Sequence, residues 1–133
     1  MRTKFLLALI SFFLVFLDVQ AQPKDVIETL AGYVRSSNSS DLSTYFSSVI
    51  ELSMLNDEDK YSRAQAELIL RSFFSRHKPV SVKIIRRINP NANYIFAVFS
   101  FLTKTDKFRF TISLRNQDDK FLVREIRIDY DEE

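Results

Sequence analysis

Hydrophobic and polar residues alternate along this chain in two periods, and the switch falls at Pro79. Before it the period is helical. Val26, Ile27, Leu30, Tyr33 and Val34 recur at spacings of three and four, which predicts a helix over 23–36. Pro23 suits its first turn, where the N–H it lacks would be unpaired anyway. The polar run Ser36-Ser37-Asn38-Ser39-Ser40 reads as a loop. A short helix over 41–46 is predicted next, with Ser40 as its N-cap. The segment VIELSML, 49–55, is apolar enough for a short strand. Ser62-Arg63-Ala64-Gln65 fits a capping box, in which the Ser and Gln side chains satisfy two backbone N–H groups. The helix it opens should run to His77, since a residue preceding proline is pushed out of the helical region. Its buried stripe is Ala66, Ile69, Leu70, Phe73 and Phe74.

After Pro79 the period is two. Strands are predicted over 80–88, 93–103, 107–115 and 120–130, joined by short turn-rich links. Short links between successive strands make antiparallel neighbours. Phe108, Phe110, Ile112 and Leu114 alternate with Lys107, Arg109, Thr111, Ser113 and Arg115, giving that strand one dry and one wet face. In 94–102 both parities are apolar, which predicts a central strand with both faces covered. The expected class is α+β: N-terminal helices packed on one face of a curved antiparallel sheet.

Residues 5–17, FLLALISFFLVFL, form an apolar run preceded by Arg2 and Lys4 and followed by Val19-Gln20-Ala21. This is the pattern of a secretory signal over 1–21, with cleavage expected before Gln22. The run is shorter than the ~20 apolar residues that span a bilayer. The expected product is an exported, periplasmic or secreted single domain, 22–133, of 112 residues, with no stable membrane anchor. The chain has no cysteine, so this domain relies on packing rather than disulfides. Without Arg2, Lys4 and Asp18, 17 basic residues face 16 acidic ones, a balance that argues against a nucleic-acid partner. Gly32 is the sole glycine and His77 the sole histidine, so neither a phosphate-cradling glycine loop nor a multi-histidine metal site can be built. No cofactor is expected.

The segments YFSSVIELSML (45–55), YSRAQAELILRSFFSRHKP (61–79) and VREIRIDY (123–130) resemble domain of unknown function 4783, a family of exported bacterial proteins of the nuclear transport factor 2-like superfamily. The resemblance implies a cystatin-like cone of curved sheet around a long helix. It also implies dimerisation through the outer face of the sheet. The superfamily hosts isomerases, dehydratases, hydrolases and pure association domains, so the fold does not fix a function.

Candidate chemistry depends on which polar residues point into the cone. Glu51 sits between Ile50 and Leu52, and Arg124 shares parity with Leu122, Ile126 and Ile128. Turned inward, they could bind a polar ligand group together with Tyr45, Tyr94 and Tyr130. Turned outward, by a bulge at Arg124, they would be solvated. His77 fits a helix end, where cations are favoured, or an acid–base role. Asn56-Asp57-Glu58-Asp59 lacks the glycine and distal glutamate of a calcium loop and reads as a solvated turn. The leading expectation is a non-enzymatic module that holds a small, partly apolar ligand or pairs with a second copy. In that dimer Ile95, Ala97, Phe99 and Phe101 would be buried and Arg109 and Arg115 would lie near the rim. The alternative is a small isomerase, dehydratase or hydrolase using Glu51 and a tyrosine inside the cone.

Overall fold

A computed structural model describes residues 25–132. The signal segment 1–21 and its cleavage site lie outside them. Helix α1, Val26–Arg35, starts at Asp25, whose side chain accepts from the Ile27 N–H at 3.0 Å, and buries Ile27, Leu30, Ala31 and Val34. Helix α2 is Ser39–Ser43, capped by Asn38 rather than Ser40, because the Asn38 side chain accepts from the Asp41 N–H at 3.0 Å. Helix α3, Arg63–Arg76, has both hydrogen bonds of the capping box and ends at His77.

Six strands follow the order β2-β1-β6-β5-β4-β3, with β1 Phe46–Met54, β2 Asp57–Ser62, β3 Ser81–Asn91, β4 Tyr94–Leu102, β5 Lys107–Gln117 and β6 Lys120–Tyr130. Two features depart from the sequence expectation. Strand β1 pairs in parallel with β6, so the sheet is mixed. The expected turn over 56–59 opens instead into β2, a polar edge strand antiparallel to β1. Register shifts interrupt β1–β6, β3–β4 and β5–β6. Such bulges bend a sheet and aim single side chains differently.

Helix α1 is tied to the other edge strand at both ends. Asp25 pairs with Arg87, and Arg35 donates through Nε and Nη2 to the Val82 carbonyl at 3.3 and 3.0 Å. The Arg87 guanidinium holds the Asp25 carboxyl below the usual carboxylate range.

Phenylalanines fill the space between helices and sheet. Phe73 of α3 lies 5.3 Å from Phe108 and 5.8 Å from Phe101, ring to ring, and Phe74 stacks 6.5 Å from Phe110. Register places Ile95, Ala97, Phe99 and Phe101 opposite Leu114, Ile112, Phe110 and Phe108, and all eight are buried. These four β4 residues therefore line the core beneath α3. The expectation that they form an intersubunit face is corrected. β4 is apolar on both faces, so its own period cannot say which parity faces the helices; its pairing with the one-sided β5 decides it. The outer parity is Tyr94, Phe96, Val98, Ser100 and Leu102.

Candidate functional site

On the helix side, phenylalanines pack between α3 and β4–β5, and a pocket of about 490 Å³ is lined by Leu52, Met54, Asp57, Tyr61, Ile69 and Arg76 of β1, β2 and α3. None of the residues expected to bind a ligand lines it, and the candidate site is the outer face of the sheet. Pairing aligns its side chains in rows across the strands. One row runs Arg86, Val98, Thr111, Arg127, Ser53, Glu58; the next runs Ile88, Phe96, Ser113, Glu125, Glu51, Lys60. The apolar part centres on β4. Val98 is already buried within the chain, at 7% exposed, and Phe96 and Leu102 are half-buried. Ile88 and, across the sheet on β1, Val49 are exposed.

Charge is segregated across this face. On β3, β4 and β5 the outer positions carry Lys83, Arg86, Lys107, Arg109 and Arg115 and no carboxylate. On β1 and β2 they carry Glu51 and Glu58, with Lys60. Lys107 and Arg109 ion-pair with Asp131 at 3.6 and 3.5 Å, and Arg127 approaches Glu125 at 4.0 Å.

A pocket of about 300 Å³ lies toward the β1 side of this face. It brings together three of the five residues expected to bind a ligand, Glu51, Tyr94 and Arg124, with Arg115, Ser113 and Glu125. It does so on the face opposite the cone. Arg124 is the extra residue of the β5–β6 bulge: Leu114 pairs with Val123 and Ser113 with Glu125, and Arg124 between them is exposed. Its parity with Ile126 and Ile128 is lost there, which decides between the two readings for the outward one. Glu51 pairs with Lys60 and Glu125 and turns outward as well. The two line one pocket without closing an ion pair. The Tyr94 hydroxyl donates to Ser113 Oγ at 3.4 Å, and the Arg115 guanidinium lies 5.7 Å above the Tyr94 ring.

The Glu51 carboxyl is raised above its ordinary value. The largest cause is a hydrogen bond shared with Glu58, followed by desolvation and the Glu125 charge; Lys60 opposes the shift. Crowded surface carboxylates produce this effect, not enclosure in an apolar cone. Sequence reasoning did not join Glu58 and Glu125 to this site, because the edge strand β2 that brings Glu58 and the parallel β1–β6 pairing that brings Glu125 are both invisible to local periodicity.

Tyr45 and Tyr130 lie elsewhere. Tyr45 is half-buried beside Tyr33, with rings 6.2 Å apart, and Tyr130 stacks on Phe108 at 4.9 Å. His77 caps α3, its N–H donating to Phe73 O at 2.9 Å and its ring 4.7 Å from that of Phe73. Among the described residues no group of three or more His, Asp or Glu is placed to hold a metal ion.

The architecture is nuclear transport factor 2-like and cystatin-like. The domain of unknown function DUF4783 matches residues 27–129, and the chain belongs to that family. A DUF4783 family protein from Bacteroides uniformis is 26% identical, with TM-score 0.77, over 82% of this chain and all of that one. Another from Bacteroides fragilis is 24% identical, with TM-score 0.71, over 84% of this chain and all of that one. A cystatin-like domain of unknown function from Nostoc punctiforme shares the fold at 8% identity and TM-score 0.61, over 78% of this chain and 72% of that one. Among curated proteins none matches.

Proposed function

We propose that this chain is an exported, non-enzymatic association module that pairs with a second copy through the outer face of its sheet. One observation carries the reading: after its first face is consumed by the core, β4 keeps a second apolar face, where Phe96 and Leu102 stay partly exposed around buried Val98 and beside exposed Ile88. Clustered apolar residues facing solvent mark interaction surfaces. The occupant follows from charge. A two-fold axis along the strands lays the β3 side of one copy over the β1–β2 side of the other. Lys83 and Arg86 then meet the partner copy's acidic edge, built from the residues equivalent to Glu51 and Glu58, and β4 meets the residue equivalent to Val49. The alternative in-plane axis, across the strands, sets cation against cation. A two-fold contact repeats each pair twice, so modest pairs add up.

Charge reversal tests this arrangement. Arg86→Glu or Glu58→Arg alone should weaken the dimer several-fold, since a rim pair contributes about 0.2–1 kcal/mol and is present twice. The double variant should recover the wild-type dissociation constant. Two singles without effect, or a double no better than either, would refute the proposed orientation.

A further inference from the structure

At the opposite end of the fold, where α1 and α3 finish, a second pocket of about 420 Å³ is lined by Arg35, Ser36, Ser37, Arg71, Phe74, Ser75, Lys78 and Pro79. Three cations from three segments converge there, and no carboxylate is among the lining residues. Three hydroxyls stand beside them, two from the serine run that reads in the sequence only as a loop; that of Ser36 donates to Gly32 O at 3.0 Å, which leaves Ser37 and Ser75 to face a ligand. Ser37 turns through the left-handed region at φ 57°, which folds that run back against α3.

Cations near helix C-termini commonly need no ligand, because they answer the partial negative charge of the last carbonyls. That explanation does not cover this set. Arg71 stands more than a turn before the end of α3 and is held by Glu67, a buried residue of the same helix. Arg35 gives Nε and Nη2 to a strand carbonyl, Val82 O, rather than to its own helix. Lys78 lies beyond α3 altogether. Glu67 offsets one of the three charges, so the pocket keeps a positive excess. Bringing like charges together is unfavourable, and fixing two of the guanidiniums leaves them oriented before any ligand arrives.

We propose that this pocket binds a small tetrahedral oxyanion ester, a phosphate or sulfate monoester. Planar guanidiniums and hydroxyls match the geometry of such oxygens, and charge-assisted bonds are the stronger kind. Phe74 and Pro79 offer an apolar floor for the carbon skeleton. The site lies apart from the outer sheet face and does not depend on pairing with a second copy.

Calorimetric titration of residues 22–133 with glucose 6-phosphate, glucose 6-sulfate and glucose tests it. The expected result is one-to-one binding of one or both esters and none of glucose. Binding of both means that the oxyanion itself is read; binding of one identifies which charge and geometry the pocket takes. Lys78→Gln, an exposed change, should weaken binding about tenfold, the scale of one charge-assisted bond. Arg71→Gln should do the same, and Glu51→Gln on the other face should leave it unchanged. Absence of saturable binding up to about 10 mM, or equal binding by wild type and Lys78→Gln, would overturn the assignment. Sedimentation of the same samples reports pairing independently, so either idea can fail alone.

Discussion

Removing the Phe73 ring should cost this domain a large part of its stability. Phe73 is 1% exposed and meets four other rings: His77 at 4.7 Å, Phe108 at 5.3 Å, Phe101 at 5.8 Å and Phe74 at 6.0 Å. Transfer of a buried Phe side chain from water contributes about 1.5–3 kcal/mol. Aromatic pairs of this geometry add about 0.5–1.5 kcal/mol each beyond area. Alanine also leaves a cavity, which α3 and β5 can close only in part because both are pinned by neighbouring rings. Phe73→Ala should therefore lose about 3–5 kcal/mol, the usual range for such truncations. Urea unfolding followed by far-ultraviolet circular dichroism measures it, with the midpoint falling at unchanged slope. A loss below about 1 kcal/mol, close to that of a surface change, would mean that α3 does not close the cone through this ring.

The hairpin between β5 and β6 turns on Asp118 and Asp119, both at positive φ, 52° and 65°. Asp119→Gly gives the Asp-Gly pair that a two-residue turn of this kind favours, and should stabilise by about 0.5–1 kcal/mol, seen as a melting temperature a few degrees higher. The Glu51 carboxyl binds its proton more tightly folded than unfolded. Its stabilising contribution is present below the unfolded value and is lost as pH rises through the folded one. Glu51→Gln should therefore flatten the pH dependence of unfolding just above the ordinary carboxylate range and raise stability at neutral pH; an unchanged profile would deny the shared proton. Intact-mass analysis of the exported protein should find Gln22 as its first residue, and a chain still starting at Met1 in a membrane fraction would contradict the signal reading.

Much of the fold is legible in the sequence because most elements bury one face. The capping box fixes the start of α3, and Phe108, Phe110, Ile112 and Leu114 assign the dry face of β5 without help. Strand β4 resists the same reading, since apolar residues at all but one position, Ser100, leave almost no phase. Only its register against β5, Phe99 opposite Phe110, shows which parity meets the helices. Strand β2 is hidden for the opposite reason. DEDKYS half-buries only Tyr61, too little to set a period, and an edge strand needs only backbone pairing to form. Arg124 admits two readings in the sequence, and the bulge that resets the alternation in a single step selects the outward one. The candidate site was half visible. Glu51, Tyr94 and Arg124 do converge, but their meeting place depends on a parallel pairing between residues some 70 positions apart, which no local period encodes.

Sedimentation of residues 22–133 at micromolar concentration tests pairing through the outer face most directly, with Phe96→Glu alongside. Phe96 lies in the outer apolar strip beside exposed Ile88 and is only half-buried within one chain, so a charge there should leave the fold standing while burying unpaired in the interface. The expected result is a dimer for the wild type and a folded monomer for Phe96→Glu. A wild-type monomer at that concentration, or a Phe96→Glu protein that still sediments as a dimer, would contradict the account.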